Sequence, residues 1–254
     1  MDTVVLAAGG FYGFTYLGIL QANKDMWKNA TTFIGSSIGG IIATLLVLNY
    51  TPLDIMLRVL YKCEDGKISL IQSNIITMLC DLIIPNTLTF IDLYDYSKKT
   101  LIITSYDMEL KKCIYYSYIT HPDKLVIEAV KETANNNPFS PKLFFDGLLC
   151  SPFPIKYCRD YKYESIFGIV AVTSESNNKD ICIGTGNIYN RLRMMNRILV
   201  TRVIELELYL LKNNDIVFII DRYLAFELYE ITFKWAITMY LDGLHNINIY
   251  KYRN

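Results

Sequence analysis

Two long uncharged stretches near the start of the chain restrict how it can fold. No charged residue occurs between Asp2 and Lys24, a run of 21 residues, or between Lys28 and Asp54, a run of 25. Apolar runs of about 20 residues are long enough to cross a bilayer. Both runs, however, are interrupted by glycines and polar side chains, and no basic segment precedes the first. The sequence therefore predicts buried segments of a soluble fold, with no signal peptide and no transmembrane helix.

Each stretch has the pattern of a short strand, a tight turn and a helix. In the first, apolar residues 3–7 precede a glycine turn and a helix-length segment that runs to about Lys24. In the second, residues 32–34 precede a turn at 35–37 and an apolar helix over 38–49. Two such units predict the α/β class, with helices on the faces of a sheet.

The rest of the chain adds helices and strands without a linker or an internal repeat, so we expect one domain over 1–254. Further helices are predicted over 53–62, 69–82, 92–98, 123–133, 188–212 and 223–242. Further strand candidates are 101–104 and 113–116, which suggest a hairpin, then 142–145, 165–172, 180–183 and 216–220.

The charge balance and the supply of metal-binding side chains exclude two classes of protein. The chain has 25 Lys and Arg against 25 Asp and Glu, so its formal net charge is zero and no nucleic-acid partner is predicted. Six cysteines form no Cys-x-x-Cys pair and only two histidines are present, so no metal site is predicted. We expect reduced thiols and an intracellular protein, cytoplasmic or peripheral to membranes.

One short motif is typical of serine nucleophiles. Residues 35–39, Gly-Ser-Ser-Ile-Gly, match G-x-S-x-G, with a strand candidate before them and a helix candidate after them. Such a turn exposes the hydroxyl of Ser37, and the helix that follows directs its positive end toward a developing oxyanion. The alternative is a structural turn in which Gly35 and Gly39 only permit close packing.

The general base of such a serine is less clear from the pattern. His121 and His245 are the two histidines, and each is typical of an ordinary surface residue. If one of them served, the protein would be a soluble esterase with a histidine-assisted triad. If neither serves, a carboxylate must accept the serine proton directly, which gives a dyad.

Three motifs in order resemble the patatin-like phospholipase family. They are the glycine-rich segment from Leu6 to Leu20, the nucleophile turn from Phe33 to Gly40, and Phe145-Asp146-Gly147. The resemblance implies a patatin-like three-layer sandwich with a central mixed sheet flanked by helices. It runs in patches over about 1–186, and helical and strand elements follow over 187–254.

The resemblance also implies a reaction and a set of site residues. It implies a lipid acyl hydrolase without a cofactor, acting on phospholipids or other acyl lipids through an acyl-enzyme, with peripheral membrane contact. Ser37 resembles the nucleophile and Asp146 the general base. The implied oxyanion and substrate-binding residues are Gly9, Gly10, Phe11 and Gly13, and the glycines that support the motifs are Gly35, Gly39 and Gly147.

Several positions depart from the family pattern. Ala8 replaces the first glycine, Tyr12 replaces the usual Lys or Arg, and Leu148 follows Asp-Gly where Gly or Ala is common. Tyr12 has the largest consequence, because it removes a cation beside the oxyanion turn. These departures leave a second hypothesis open: a weakly active or inactive module with this fold that binds lipid or protein.

Other interpretations of single motifs remain at this point. Asp-Gly also occurs at Asp65 and Asp242, but Asp146 is favoured as the base because it ends a strand candidate. The glycine turn after the first strand could cradle a phosphate, although the ending of a P-loop is absent. A high content of Asn, Ile, Lys and Tyr is typical of an A/T-rich genome, such as that of a large DNA virus.

Overall fold

The structure is a computed structural model that describes residues 1–62, 67–69, 84–135, 143–172, 199–221, 230–246 and 249–252. Helices α1 to α9 cover Gly13–Ala22, Lys24–Trp27, Ile38–Val47, Pro52–Lys62, Phe90–Ser97, Val126–Thr133, Ile155–Asp160, 199–208 and Phe233–Leu244. Strands β1 to β10 cover Thr3–Leu6, Thr32–Ser36, Lys67–Ser69, Thr100–Asp107, Lys112–Tyr116, Phe144–Asp146, Ile166–Val172, Ile216–Asp221, Glu230–Thr232 and Ile249–Tyr252.

Eight of the strands form one mixed sheet. Its order is β10-β8-β7-β1-β2-β4-β5, and β6 also pairs with β4. Strands β8, β7, β1, β2 and β4 run parallel to one another, whereas β10, β5 and β6 are antiparallel to their neighbours. A separate two-stranded sheet pairs β3 with β9.

Helices cover both faces of the large sheet, which confirms the expected three-layer sandwich. Along β1, Val4 and Leu6 face one core, while Val5 and the following Ala7 face the other. This alternation follows from the two-residue period of a strand. Helices α1 to α6 and α9 contribute to the first core, and α7 and α8 contribute to the second.

The two uncharged stretches form these central elements as predicted: the first contains β1 and α1, and the second contains β2 and α3. Within the described ranges, no single helix is long and apolar enough to cross a membrane. Taken together, Ile38–Val47 and Pro52–Tyr61 would qualify by length and composition, but they are bent by 116° at the break between them.

The pairing of β4 explains how distant parts of the chain meet at one edge of the sheet. Strand β2 ends at Ser36, which lies opposite Thr104 of β4. Strand β4 continues beyond that level, and there β6 takes the place beside it, with Asp146 opposite Ser105. Asp146 therefore lies in the sheet where an extension of β2 past Ser36 would lie.

The prediction of a helix over 223–242 is wrong for 230–232, the first residues of that range that the structure describes. Residues Glu230–Thr232 form β9, and the helix starts only at Phe233. The Thr232 hydroxyl accepts a hydrogen bond from the Trp235 amide and caps that helix. The expected helix over 69–82 also fails at Ser69, which ends β3. The remainder of that helix, residues 188–198 and the strand candidate 180–183 lie outside the described residues.

The expectation that the cysteines are reduced is wrong for one pair. Cys113 of β5 and Cys150 are joined by a disulfide, with their Cα atoms 5.6 Å apart, an ordinary separation for such a bond. Strands β5 and β6 both pair with β4, which brings the two cysteines together although they are 37 residues apart in the sequence. Cys158 is free and buried.

Candidate active site

Ser37 occupies a sharp turn between a strand and a helix. Strand β2 ends at Ser36 and α3 begins at Ile38, so Ser37 alone makes the connection. Its φ of 54° and ψ of −126° lie in a region that residues with a β-carbon rarely adopt. Backbone strain of this kind amounts to about 1–3 kcal/mol and persists only where the surrounding structure holds it.

The glycines on either side of Ser37 allow the backbone to turn this tightly. A β-carbon on Gly35 would lie 2.3 Å from the carbonyl oxygen of Gly39. One on Gly39 would lie 2.2 Å from the carbonyl oxygen of Leu6, at the end of β1. Both glycines of the motif are therefore required by close backbone contacts.

Thr133 supports the strained turn from a distant helix. The Ser37 amide donates a hydrogen bond to Thr133 Oγ1 at 2.9 Å. Thr133 is fully buried at the end of α6, and its methyl group lies against Gly40. Sequence analysis missed this residue, because no local pattern connects a threonine near the end of one helix to a turn 96 residues away.

The Ser37 hydroxyl and Asp146 form a direct hydrogen bond. Ser37 Oγ donates to Asp146 Oδ2 at 2.7 Å. The other carboxylate oxygen, Oδ1, accepts from the Leu148 amide at 2.9 Å. The Asp146 amide donates to the carbonyl of Asn135, which fixes the backbone on the side facing the end of α6. The structure thus brings together the two residues that the sequence singled out.

Burial makes Asp146 a stronger base than an ordinary carboxylate. Its side chain is 3% exposed, and desolvation raises its pKa from 3.8 to about 7. The hydrogen bonds from Leu148 and Ser37 lower the pKa, but they do not offset the effect of burial. In the part of the chain that the structure describes, no cationic side chain forms an ion pair with this carboxylate.

Gly147 lets the chain leave Asp146 without a clash. A β-carbon at this position would lie 2.3 Å from Thr104 Oγ1 and 2.8 Å from Ser36 Oγ. Any larger residue would push the turn after Asp146 away from the end of β2. The glycine after Asp146 is therefore required here by space.

The glycine-rich turn after β1 lies beside the serine turn. Gly10 has a φ of 56°, which glycine adopts without strain, and a short 3-10 turn covers Gly10–Tyr12. Because Leu6 pairs with Gly35 in parallel strands, both turns leave the sheet at the same edge. A β-carbon on Gly13 would lie 2.5 Å from a side-chain carbon of Ile38, so the two turns are in contact.

Three amides of this turn have no hydrogen-bond acceptor among the residues that the structure describes. Among the described residues, the amides of Gly9, Gly10 and Phe11 donate no hydrogen bond to the protein. A β-carbon on Gly9 would lie 2.6 Å from the Tyr16 hydroxyl, so this position requires glycine for space. These amides and the unpaired first amides of α3 lie at the same edge of the sheet as Ser37.

Tyr12 occupies the position at which the family that the sequence resembles usually has Lys or Arg. Its side chain is 8% exposed and belongs to the first core. The side chain at this position therefore contributes apolar packing and no positive charge to the turn.

The rival bases have other surroundings. The His121 ring packs edge-on against Tyr116 with ring centroids 4.9 Å apart, and His245 is exposed after the end of α9. In the described structure, no hydrogen bond joins either histidine to Ser37 or Asp146. Asp65 lies outside the described residues.

The third Asp-Gly pair has a packing role. Asp242 lies within α9, and a β-carbon on the following Gly243 would lie 2.2 Å from the carbonyl oxygen of Thr15 in α1. On the α1 side, a β-carbon on Gly18 would lie 2.1 Å from the carbonyl oxygen of Tyr240. The glycine after Asp242 therefore permits two helices to pack closely.

Comparisons with known sequences agree with the expected resemblance. A sequence model of the family described as Patatin-like phospholipase matches residues 4–65. A probable lipid hydrolase of Invertebrate iridescent virus 6 is 27% identical over 205 residues, which cover 68% of this chain and 69% of that protein. An uncharacterized protein of Acanthamoeba polyphaga mimivirus is 33% identical over 67 residues, 25% of this chain and 22% of its own length.

A solved structure has the same fold. VipD from Legionella pneumophila superposes with a TM-score of 0.51 at 13% identity, over 100% of this chain and 68% of that one. At this identity the likeness concerns the fold alone. With the match over residues 4–65, the resemblance to patatin-like phospholipases expected from the three motifs is confirmed.

Proposed function

We propose, from its resemblance to the patatin-like phospholipases, that this chain is a lipid acyl hydrolase that cleaves fatty acyl esters of phospholipids or related lipids. The observation that carries the proposal is the 2.7 Å hydrogen bond from Ser37 Oγ to Asp146 Oδ2, at a strained turn. A serine with a base within hydrogen-bond reach is what nucleophilic catalysis requires. The viral relative described as a probable lipid hydrolase supports the same class of substrate.

The reaction we propose has two halves that use the same pair of residues. In the first, Asp146 accepts the hydroxyl proton while Ser37 Oγ attacks the ester carbonyl carbon. The tetrahedral intermediate then expels the alcohol, which takes the proton from Asp146 and leaves an acyl-enzyme. In the second, Asp146 removes a proton from water as the water oxygen attacks the acyl carbon. The fatty acid then leaves, and Ser37 regains its proton.

Backbone amides are the groups that we assign to the oxyanion. The unpaired amides of Gly9, Gly10 and Phe11 lie at the same sheet edge as Ser37, and α3 begins directly after the serine. Fixed donors of this kind stabilise the developing negative charge, and losing one costs about 2.7–4 kcal/mol in other serine hydrolases. Backbone donors do not depend on the residue at position 12, so the proposal tolerates a tyrosine there.

The ionisation of Asp146 suits this role. A general base works best when its pKa lies near the working pH, because it is then both ionised and basic enough to take a proton. The raised pKa of about 7 meets that condition, whereas an exposed aspartate near 3.8 would be a weak base. The burial of the carboxylate, without an ion pair to any described residue, therefore supports a histidine-free dyad.

The buried Tyr12 favours a second candidate function, a module that binds lipid or protein without turnover. The family's cation is absent beside the glycine turn, and an aromatic side chain packs in the core instead. In that case Ser37 would have no reactivity beyond that of an ordinary serine.

Hydrolysis of phospholipid vesicles and of a short-chain ester tests the proposal. The wild-type protein is expected to release fatty acid, and Ser37→Ala is expected to lose at least about 10⁴-fold in rate, because it removes the nucleophile. Ser36→Ala is a matched control, since the buried Ser36 hydroxyl has no hydrogen-bond partner in the structure. Equal turnover by Ser37→Ala and the wild type would overturn the proposal.

A further inference from the structure

The hairpin between β4 and β5 extends beyond the level of the serine. Ser36, directly before Ser37, lies opposite Thr104, and β4 continues to Asp107 before the chain turns at 108–111. At about 3.4 Å per residue, three further residues carry the turn roughly 10 Å past the end of β2. The turn leaves the sheet at the same edge as Ser37. A flat surface that approaches this edge meets the turn before it meets the serine.

Hydrogen bonds fix the conformation of this turn. The buried carboxylate of Asp107 accepts from the amides of Glu109 and Leu110, both at 2.9 Å. The Met108 amide donates to the carbonyl of Leu143, which precedes β6, at 2.9 Å. Lys111 has a φ of 51°, which closes the turn. The side chains of residues 108–111 are therefore presented by a rigid support.

The turn presents apolar side chains that the described protein leaves exposed. Met108 is 47% exposed and Leu110 is 58% exposed. Leu149, in the turn that follows Asp146, is 45% exposed, and the next residue, Cys150, is joined by the disulfide to Cys113 of the same hairpin. We call Met108, Leu110 and Leu149 the apolar rim.

Positive charge follows Met108 and Leu110 in the chain. Lys111 and Lys112 are both exposed at the start of β5, and Glu109 between the two apolar residues of the turn is exposed as well. The acidic residue offsets one of the two positive charges. The apolar side chains therefore provide the larger part of any attraction to a surface, and the lysines favour a surface that is negatively charged.

We propose that the apolar rim is the surface on which this protein docks onto an anionic lipid bilayer, an inference that names the physical state of the substrate and rests on the proposed lipid hydrolase function. Interfacial segments bury their apolar side chains by about 5–10 Å at the boundary of headgroups and acyl chains. With β4 along the membrane normal, that depth brings Ser37 to the level of the headgroups. A projecting, rigid tip with charges behind it suits a bilayer, whereas a protein partner would need a larger complementary surface.

Vesicle flotation with the Ser37→Ala protein tests the docking surface without any hydrolysis. Vesicles of phosphatidylcholine with phosphatidylserine are expected to carry Ser37→Ala upward. Adding Met108→Gln and Leu110→Gln to this protein is expected to lower its partition coefficient onto the vesicles by roughly tenfold or more. The two substitutions replace apolar side chains by polar ones of similar size. Lys111→Gln with Lys112→Gln is expected to lower it by about fivefold per charge, and only on vesicles that contain phosphatidylserine.

A matched pair on another helix controls for general stickiness. Leu53 and Leu57 of α4 are 43% and 54% exposed, so Leu53→Gln with Leu57→Gln removes similar apolar area elsewhere. This pair is expected to leave flotation unchanged. Flotation of the Met108→Gln, Leu110→Gln protein equal to that of Ser37→Ala, or a greater loss in the α4 pair, would overturn the inference. Flotation requires no hydrolysis, so the docking inference and the proposed hydrolase function can fail independently of each other.

Discussion

Two buried aspartates at opposite edges of the sheet show how surroundings decide what a carboxylate does. Asp215 directly precedes β8, at the level where β7 also begins, and is 0% exposed. Asp146 lies at the opposite ends of the strands and is 3% exposed. Asp215 forms an ion pair with Arg159 and accepts from the amides of Ile166 at 3.1 Å and Lys212 at 2.7 Å. Among the described residues, no cation pairs with Asp146, which accepts from one amide and the Ser37 hydroxyl.

The difference in donors separates a structural carboxylate from a reactive one. The charge of Asp215 is neutralised by Arg159, whose guanidinium also donates to the carbonyls of Tyr163 and Leu210. The network joins α7 to the loop before β8. The pKa of Asp146, by contrast, is raised by burial, and its hydrogen-bond partner is the hydroxyl that the proposed reaction must deprotonate. Incomplete compensation of a buried charge is what makes Asp146 suited to accept a proton.

The largest expected effect concerns the rate of Asp146→Asn. Removing the base is expected to lower ester hydrolysis by roughly 10⁴-fold, nearly as much as Ser37→Ala, because dyad members act as a unit. Steady-state rates on a short-chain ester measure this loss. A larger loss of hydrolysis rate in Asp242→Asn than in Asp146→Asn would contradict the assignment of Asp146 as the base.

The same substitution is expected not to destabilise the fold. The pKa of Asp146 is about 7 in the folded state and 3.8 in the unfolded state, so the folded state holds the proton more tightly. The stability that this protonated carboxyl contributes is complete below about pH 4 and is lost as pH rises toward 7. Above pH 7 the buried charge destabilises the native state by up to roughly 4 kcal/mol, which asparagine avoids. Urea unfolding at pH 8 should therefore find Asp146→Asn at least as stable as the wild type. A large loss of stability there would contradict this account.

Asp215→Ala is expected to lower stability and to leave the hydrolysis rate unchanged, the opposite of Asp146→Asn. Removing this carboxylate leaves Arg159, whose side chain is 12% exposed, without its partner. Breaking a buried ion pair in this way destabilises by about 3–5 kcal/mol. Urea unfolding measures the loss, while the rate per folded molecule should remain that of the wild type. Unchanged stability would show that the two carboxylates are not distinguished by their donors.

A smaller effect is expected for Thr133→Val. Valine keeps the shape of threonine but leaves the partly buried Ser37 amide without its acceptor, which costs about 1–3 kcal/mol. If Thr133 positions the strained turn, the rate constant for hydrolysis should fall by roughly 5- to 100-fold, and Thr133→Ser should restore most of it. A deficit in Thr133→Ser together with wild-type rates in Thr133→Val would instead show that the methyl group, through packing on Gly40, is what matters.

Most of the fold of the first 62 residues and the two residues of the proposed dyad were predictable because their signals are local. Glycines mark the turns after β1 and β2, Ser37 lies in a turn between Gly35 and Gly39, and Asp146 follows a strand candidate and precedes Gly147. The hydrogen bond between them was expected only through the family resemblance, since it depends on β6 taking the place beside β4 past Ser36.

The features that the sequence did not predict depend on contacts between distant segments. Thr133 acts on a turn 96 residues away, and β9 is a strand because it pairs with β3 across the chain. The bond between Cys113 and Cys150 likewise follows from the shared neighbour β4. No pattern within a short window carries information of this kind.

Labelling of Ser37 by a fluorophosphonate probe, followed by mass spectrometry across pH, tests the central claim most directly. The second-order labelling rate is expected to rise with pH through an apparent pKa of about 7, because the ionised Asp146 is the base. It is expected to be lost in Asp146→Asn and retained in His121→Ala and His245→Ala. Labelling of Asp146→Asn at the wild-type rate, or its loss in either histidine variant, would contradict a serine–aspartate dyad.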